Sequence, residues 1–182
     1  SKDRVEPKCP VARQCGGCQI QEMRYEAQLA FKQKMVQNNL ERIGGLSDFE
    51  MYPVIGMETP YAYRNKAQFP VGEDKDGNIV IGFYAGRTHH IVEQTDCCIG
   101  APENGEVLRK VKAYMQKNQI RPYNEEHHSG IVRHILIRTG YHTKEIMVCL
   151  IVNAAKASCL KNAEQLTESL REMAVSYTHL RA

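Results

Sequence analysis

Three cysteines close to the start of the chain, Cys9, Cys15 and Cys18 in a C-x5-C-x2-C pattern, constrain its fold more than any other feature. The segment around them is too polar to fold by hydrophobic burial, so an inorganic centre has to organise it. Thiolates are soft ligands that take zinc or an iron-sulfur cluster. The adjacent Gly16 and Gly17 are expected to let the backbone curl so that two sulfurs face one centre. Three ligands leave one position to be filled.

Four further cysteines are available, Cys97, Cys98, Cys149 and Cys159. Cys149 lies in the apolar run Ile146 to Val152 and reads as a small hydrophobe in a buried strand. Cys159 precedes Leu160, Ala163, Leu166 and Leu170 at helical spacing and reads as a helix-start residue. Cys97 and Cys98 fall in a polar loop between a strand and a helix, and one of the two is expected to close the site. A disulfide framework is disfavoured by the odd count of seven cysteines and by the lack of a signal peptide. A zinc ribbon would bring a second C-x2-C, and its absence favours iron and sulfur over zinc.

The chain has 182 residues, of which 42% are hydrophobic, enough to bury a core as one domain with a small appended module. No apolar run approaches a membrane span, and free thiols point to a reducing, cytoplasmic compartment. A net charge of +3 permits nucleic acid as a partner without singling it out. No G-x-G-x-x-G or Walker pattern occurs, so phosphate binding by a glycine-rich loop is unsupported.

Periodicity predicts an α+β domain, an antiparallel sheet with covering helices preceded by the cysteine-rich loop. Helices are expected over 21–43, 102–117 and 158–173. Strands are expected at 53–55, 63–71, 79–84 and 90–93, with a hairpin turn at Asp76-Gly77, and at 131–139 and 145–153 across a second turn. Within the second of these strands, alternation puts Arg64, Lys66 and Gln68 on one face and Tyr63, Asn65, Ala67 and Phe69 on the other. Arg87 and Arg133 could extend the charged face into a patch that follows a phosphate backbone. The histidine pairs His89-His90 and His127-His128 read as polar surface, since neighbours on a strand point to opposite sides.

Taken together, Cys9-Pro10, Cys15-Gly16-Gly17-Cys18-Gln19-Ile20-Gln21, Tyr25-Glu26-Ala27-Gln28-Leu29 and Lys32 resemble the iron-sulfur segment of bacterial RNA (uracil-5-)-methyltransferases that act on 23S ribosomal RNA. Tyr61 to Gly72, Ile81-Gly82-Phe83-Tyr84 and His90-Ile91-Val92-Glu93 continue the resemblance in register, which covers about residues 4 to 155. It implies a [4Fe-4S] cluster on Cys9, Cys15, Cys18 and Cys97, with Cys98 where the family has proline. It also implies a ribosomal RNA partner, for which the charged face of Arg64, Lys66, Gln68, Arg87 and Arg133 supplies the candidate contacts, and a monomer is expected.

In the family a cysteine thiolate adds to C6 of uracil, and C5 then takes the methyl group of S-adenosylmethionine. The family's nucleophile and its D-x-x-C-G-x-G donor stretch have no counterpart here. The resemblance thus implies an internal fragment: a cluster loop at 1–19 closed from the 94–100 loop, then an α+β central RNA-binding domain at 20–173. The S-adenosylmethionine-binding domain would lie outside it, and the fragment alone would be inactive. The alternative is a stand-alone metal-bearing RNA-binding module. Residues 174–182 depart from the family pattern and read as a non-native tail.

Overall fold

Residues at every second position pair into buried rows: Ala67, Phe69 and Val71, then Ile79 and Ile81, then Ile135 and Ile137, then Ile146, Val148 and Leu150. Period-two burial of this kind makes one face of a sheet apolar. The computed structural model describes residues 2–173; the tail assigned above to 174–182 lies outside the described residues. The strands are β1 (Lys66–Glu73), β2 (Ile79–Tyr84), β3 (Ile91–Glu93), β4 (Val132–Thr139) and β5 (Ile146–Val152). They form one sheet in the order β3-β2-β1-β4-β5, with every neighbouring pair antiparallel.

The β1–β2 turn follows from its residues. The Asp74 carboxylate accepts hydrogen bonds from the backbone N–H groups of Asp76 at 2.9 Å and Asn78 at 2.8 Å, and Gly77 takes a positive φ of 80° that a side chain would resist. Three helices complete the chain: α1 (Tyr25–Asn38), α2 (Asn104–Lys117) and α3 (Ala163–Arg171). Val107, Leu108, Val111 and Met115 of α2 and Leu166 and Leu170 of α3 join the sheet residues in one core. The α+β class expected from periodicity is the one observed.

Several elements differ from those expected. The sheet begins at Lys66 rather than Tyr63, because the chain just before it pairs elsewhere: Ala62 N–H donates to Cys98 C=O at 3.0 Å and Arg64 N–H to Ile99 C=O at 2.9 Å. The apolar triplet Pro53-Val54-Ile55 forms no strand and runs as an extended strap along α1. That helix starts only at Tyr25 and passes at its end into a π-helical turn, Asn39–Ile43. The last helix starts at Ala163, because Asn162 has a positive φ of 53°, and Cys159 falls in the 3-10 turn Ala157–Cys159.

Candidate functional site

The first cysteine loop is shaped by contacts that its own sequence cannot supply. Arg4 and Met23 bridge its two ends, and Cys15 bridges Ala85 at the end of β2. Gly16 N–H donates to Tyr84 C=O at 3.0 Å. A Cβ on Gly16 would meet Tyr84 O and Gly86 Cα at 3.1 Å, so a side chain there would crowd the backbone at the end of the strand. Gly16 and Gly17 lie in a turn, and they make it without a positive φ, which the glycines Gly45, Gly77 and Gly130 adopt.

The second loop joins β3 to α2 and is tightened by Gly100 N–H donating to Cys97 C=O at 2.9 Å. The two loops meet over one small cavity of about 20 Å³ lined by Cys9, Cys15, Cys18, Cys97 and Cys98. None of the seven cysteines is joined in a disulfide. Cys149 stands on β5 opposite Leu136, and neither it nor Cys159 lines that cavity.

Amide groups surround the sulfurs. Gln21 Nε2 donates to Cys98 Sγ at 3.5 Å and to Cys18 Sγ at 3.7 Å, while its Oε1 accepts from Cys9 N–H at 3.0 Å. Gln94 Nε2 reaches Cys9 Sγ at 3.9 Å, and Gly17 N–H reaches Cys15 Sγ at 3.4 Å. Burial and then the neighbouring Cys97 push the Cys18 thiol up, and Arg64 at the cavity wall opposes them. Burial likewise raises Cys98, with Cys9 and Cys97 adding to it and the Gln21 hydrogen bond opposing. Gln21 and Gln94 were not among the expected site residues. Gln21 was visible in the C-x2-C-Q-I-Q string, but its role needs the second loop beside it.

Among the described residues, no group of three or more His, Cys, Asp or Glu side chains is placed to hold a metal ion. Thiols are soft donors of the kind that zinc and iron-sulfur clusters take. In a four-iron cluster four thiolates share several irons rather than converging on one centre, and the amides aimed at sulfur are the kind of outer partner that tunes such a centre.

The residues expected to meet RNA separate. Lys66 and Gln68 are exposed on β1. Arg64 turns to the cysteine cavity, and Arg87 sits exposed after β2 with a positive φ of 63°. Arg133 lies 4.6 Å over the Tyr123 ring and pairs with Glu125 Oε1 at 3.3 Å. The other oxygen of Glu125 meets His89 Nδ1 at 3.0 Å, and these two partners, His89 first, hold that carboxyl below its usual range. His128 Nδ1 lies 3.0 Å from Tyr123 Oη. A cation that the sequence reading passed over, Arg138, stands directly opposite Lys66 in the β1–β4 register. Like charges opposite one another on a sheet are unfavourable unless an anion shares them. Only the strand register reveals this pair.

No protein-family model matches the chain. Curated relatives named as uncharacterized RNA methyltransferases do. One from Halalkalibacterium halodurans is 52% identical over 151 residues, covering 83% of this chain and 33% of the relative. One from Bacillus cereus is 44% identical over 167 residues, covering 92% and 35%. The crystal structure of Pyrococcus abyssi tRNA (uracil-54, C5)-methyltransferase in complex with S-adenosyl-L-homocysteine superposes with a TM-score of 0.67 at 26% identity, over 91% of this chain and 35% of that one. The chain is similar in sequence to these proteins named as RNA methyltransferases, and it spans about one third of the length of the curated relatives it matches.

Proposed function

We propose that the chain is the cluster-bearing, RNA-positioning part of an S-adenosylmethionine-dependent 23S ribosomal RNA (uracil-5-)-methyltransferase of the cytoplasm, acting as a monomer. The observation that carries this reading is the meeting of Cys9, Cys15 and Cys18 with Cys97 and Cys98 on one cavity, from loops about eighty residues apart. A [4Fe-4S] cluster bound there would cross-link those loops and stabilise the fold as other structural metal centres do. Gln21, Gln94 and the Gly17 amide would hold the negative charge on sulfur.

RNA contact is assigned to Lys66, Gln68 and Arg138 on the outer side of the sheet, with Arg87 and Arg133 at its rim and Arg64 behind them at the cysteines. Methyl transfer itself needs the donor site and nucleophile of the longer protein, so the 182-residue chain alone should give only background incorporation from labelled S-adenosylmethionine.

Iron and sulfide analysis after anaerobic purification tests the cluster. Cys9→Ser, Cys15→Ser, Cys18→Ser and Cys97→Ser should each abolish iron binding, while Cys149→Ser leaves it intact. Full iron in Cys97→Ser with none in Cys98→Ser would move the fourth ligand by one residue, and full iron in Cys18→Ser would overturn the site. For RNA, Lys66→Ala with Arg138→Ala should lower the log-log salt slope of binding by roughly one to two units, because each phosphate contact contributes about 0.7 to 0.9. An unchanged slope in a folded double variant would return that pair to ordinary surface.

A further inference from the structure

A cavity of about 530 Å³ lies on the outer side of the sheet, at the end of β1 remote from Lys66. Its floor is apolar: Val80 and Ile91 line it, and Ile91 lies so close over Gly72 that a Cβ there would come within 2.8 Å of Ile91 Cδ1. One wall is the 121–131 loop, which backbone bonds close at two levels. Tyr123 N–H donates to Val132 C=O at 2.8 Å, and Asn124 N–H to Ser129 C=O at 2.7 Å. Asn124 Oδ1 also accepts from the N–H groups of Glu126 and His127, both at 2.9 Å, so the loop holds Tyr123 and Glu125 over the sheet. A cavity of this size with few, fixed polar groups has the proportions of a small-ligand site.

Two planar surfaces line it. Tyr84 and His89 stack with ring centroids 5.3 Å apart, and the Arg133 guanidinium lies over the Tyr123 ring. Glu125 joins the two through one carboxylate, Oε2 to His89 and Oε1 to Arg133. An ionised carboxylate offers about four acceptor sites, so each oxygen keeps capacity for a further donor. Burial, then the Arg133 charge, pushes the His134 imidazole below its ordinary value, with Glu125 opposing, which leaves that wall uncharged at neutral pH. Glu73, Asp74, Glu125 and Glu126 outnumber Arg133 around the cavity, a balance that repels phosphate and favours a planar ligand rich in N–H donors.

We propose that this cavity takes one unpaired guanine base of the RNA, its ring against the aromatic surfaces and its N1–H and N2–H donors on Glu125. This rests on reading the chain as the RNA-positioning part of a methyltransferase. Single-stranded bases are held on aromatic or guanidinium planes and read on their Watson–Crick edges. Guanine alone among the four RNA bases presents two adjacent donors there, whereas uracil presents one N–H between two carbonyls that a carboxylate repels. The flanking phosphates have cations outside the cavity: Arg87, close to His89 in the chain, and Lys66 on the same face of β1, about 20 Å from Gly72 at about 3.3 Å per residue.

The test titrates the isotope-labelled 182-residue chain with guanosine, inosine and uridine monophosphates and reads amide chemical shifts. Guanosine monophosphate should move the amides of Val80, Tyr84, Glu125 and His134. It should bind about tenfold or more tighter than the inosine form, which lacks the N2 amine, because a hydrogen bond to a charged group carries that much. Glu125→Gln, at a side chain 48% exposed, leaves the core untouched and should erase the difference. Tyr84→Leu should weaken all three by about fivefold or more through lost stacking. Equal binding of the guanosine and inosine forms overturns the proposal, as does a preference that survives Glu125→Gln or shifts that fall away from the cavity. An oligouridine with one central guanosine should bind more tightly than the free nucleotide, and Lys66→Ala should weaken the oligonucleotide alone. Should the oligonucleotide bind no tighter, a free guanine nucleotide is the ligand and the assignment to RNA falls. If oligouridines with and without guanosine bind equally and lose affinity in Lys66→Ala, the cavity has no part in recognition, while the RNA-positioning reading stands.

Discussion

Helices α1 and α2 have the same length, 14 residues, and opposite fates: α2 buries Asn104, Gly105, Val107, Leu108, Val111, Tyr114 and Met115, and α1 buries nothing. Both carry apolar residues at helical spacing, so periodicity alone predicts both. The difference lies in arrangement. In α2 the apolar positions Val107, Leu108, Val111 and Met115 gather on one side and meet a sheet whose near face is Phe69, Ile81 and Ile135. In α1 they point several ways, and the 54–57 strap lies against one side of it. A helix can thus be specified by its sequence and still add nothing to the core of the chain.

Core truncation should give the widest separation. Leu108 is fully buried, so Leu108→Ala is expected to cost about 2–5 kcal/mol by lost transfer energy and the cavity left behind. Phe31→Ala, at 48% exposure, should change the stability of the isolated chain by no more than about 0.5 kcal/mol. Urea denaturation measures both, and a loss of several kcal/mol in Phe31→Ala would show that α1 is packed in this chain after all. Hydrogen exchange sharpens the same contrast. Amides of α2 should open only with global unfolding, and those of α1 at a small fraction of that free energy; equal protection in the isolated chain would erase the distinction.

The sequence made the strongly periodic parts legible. Strand β2 falls where Ile79 to Tyr84 alternates, and the Asp76-Gly77 turn lies where its residues demand. The hairpin of β4 and β5 is within a residue of expectation at each end, because turn chemistry and alternation are local. What failed was non-local. Tyr63 and Arg64 alternate like strand residues, yet Ile99 and Gly100 capture Arg64 before the sheet begins. The Lys66–Arg138 pair depends on a register between strands far apart in sequence, and Gln21 and Gln94 gain meaning only once two remote loops lie together. The cysteine spacing pointed to the first loop, whereas the partner loop rested on elimination among the remaining cysteines and on family resemblance.

The smallest expected effect concerns the ion pair that fastens the start of α2 to the second cysteine loop. Arg109 Nη1 donates to both carboxylate oxygens of Asp96, at 3.0 and 2.9 Å. The Arg109 hydrogen bond, then that of Thr95, holds the Asp96 carboxyl below its usual range. Because the folded chain favours the ionised form, the folded state binds fewer protons than the unfolded one. The contribution is therefore fully present above the unfolded pKa of about 3.9 and is lost as pH falls through the lower folded value. Both side chains are more than half exposed, so solvent screening limits the pair to about 0–1 kcal/mol. Arg109→Ala should accordingly weaken the chain slightly at neutral pH and flatten the acid limb of a stability-versus-pH curve. Among the described residues no ion pair ties α1 to the sheet, so the matched change Lys32→Ala should leave that limb unchanged. If Arg109→Ala and wild type have the same slope below pH 4 or so, the pair is a surface contact without energetic weight, and burial alone separates the two helices.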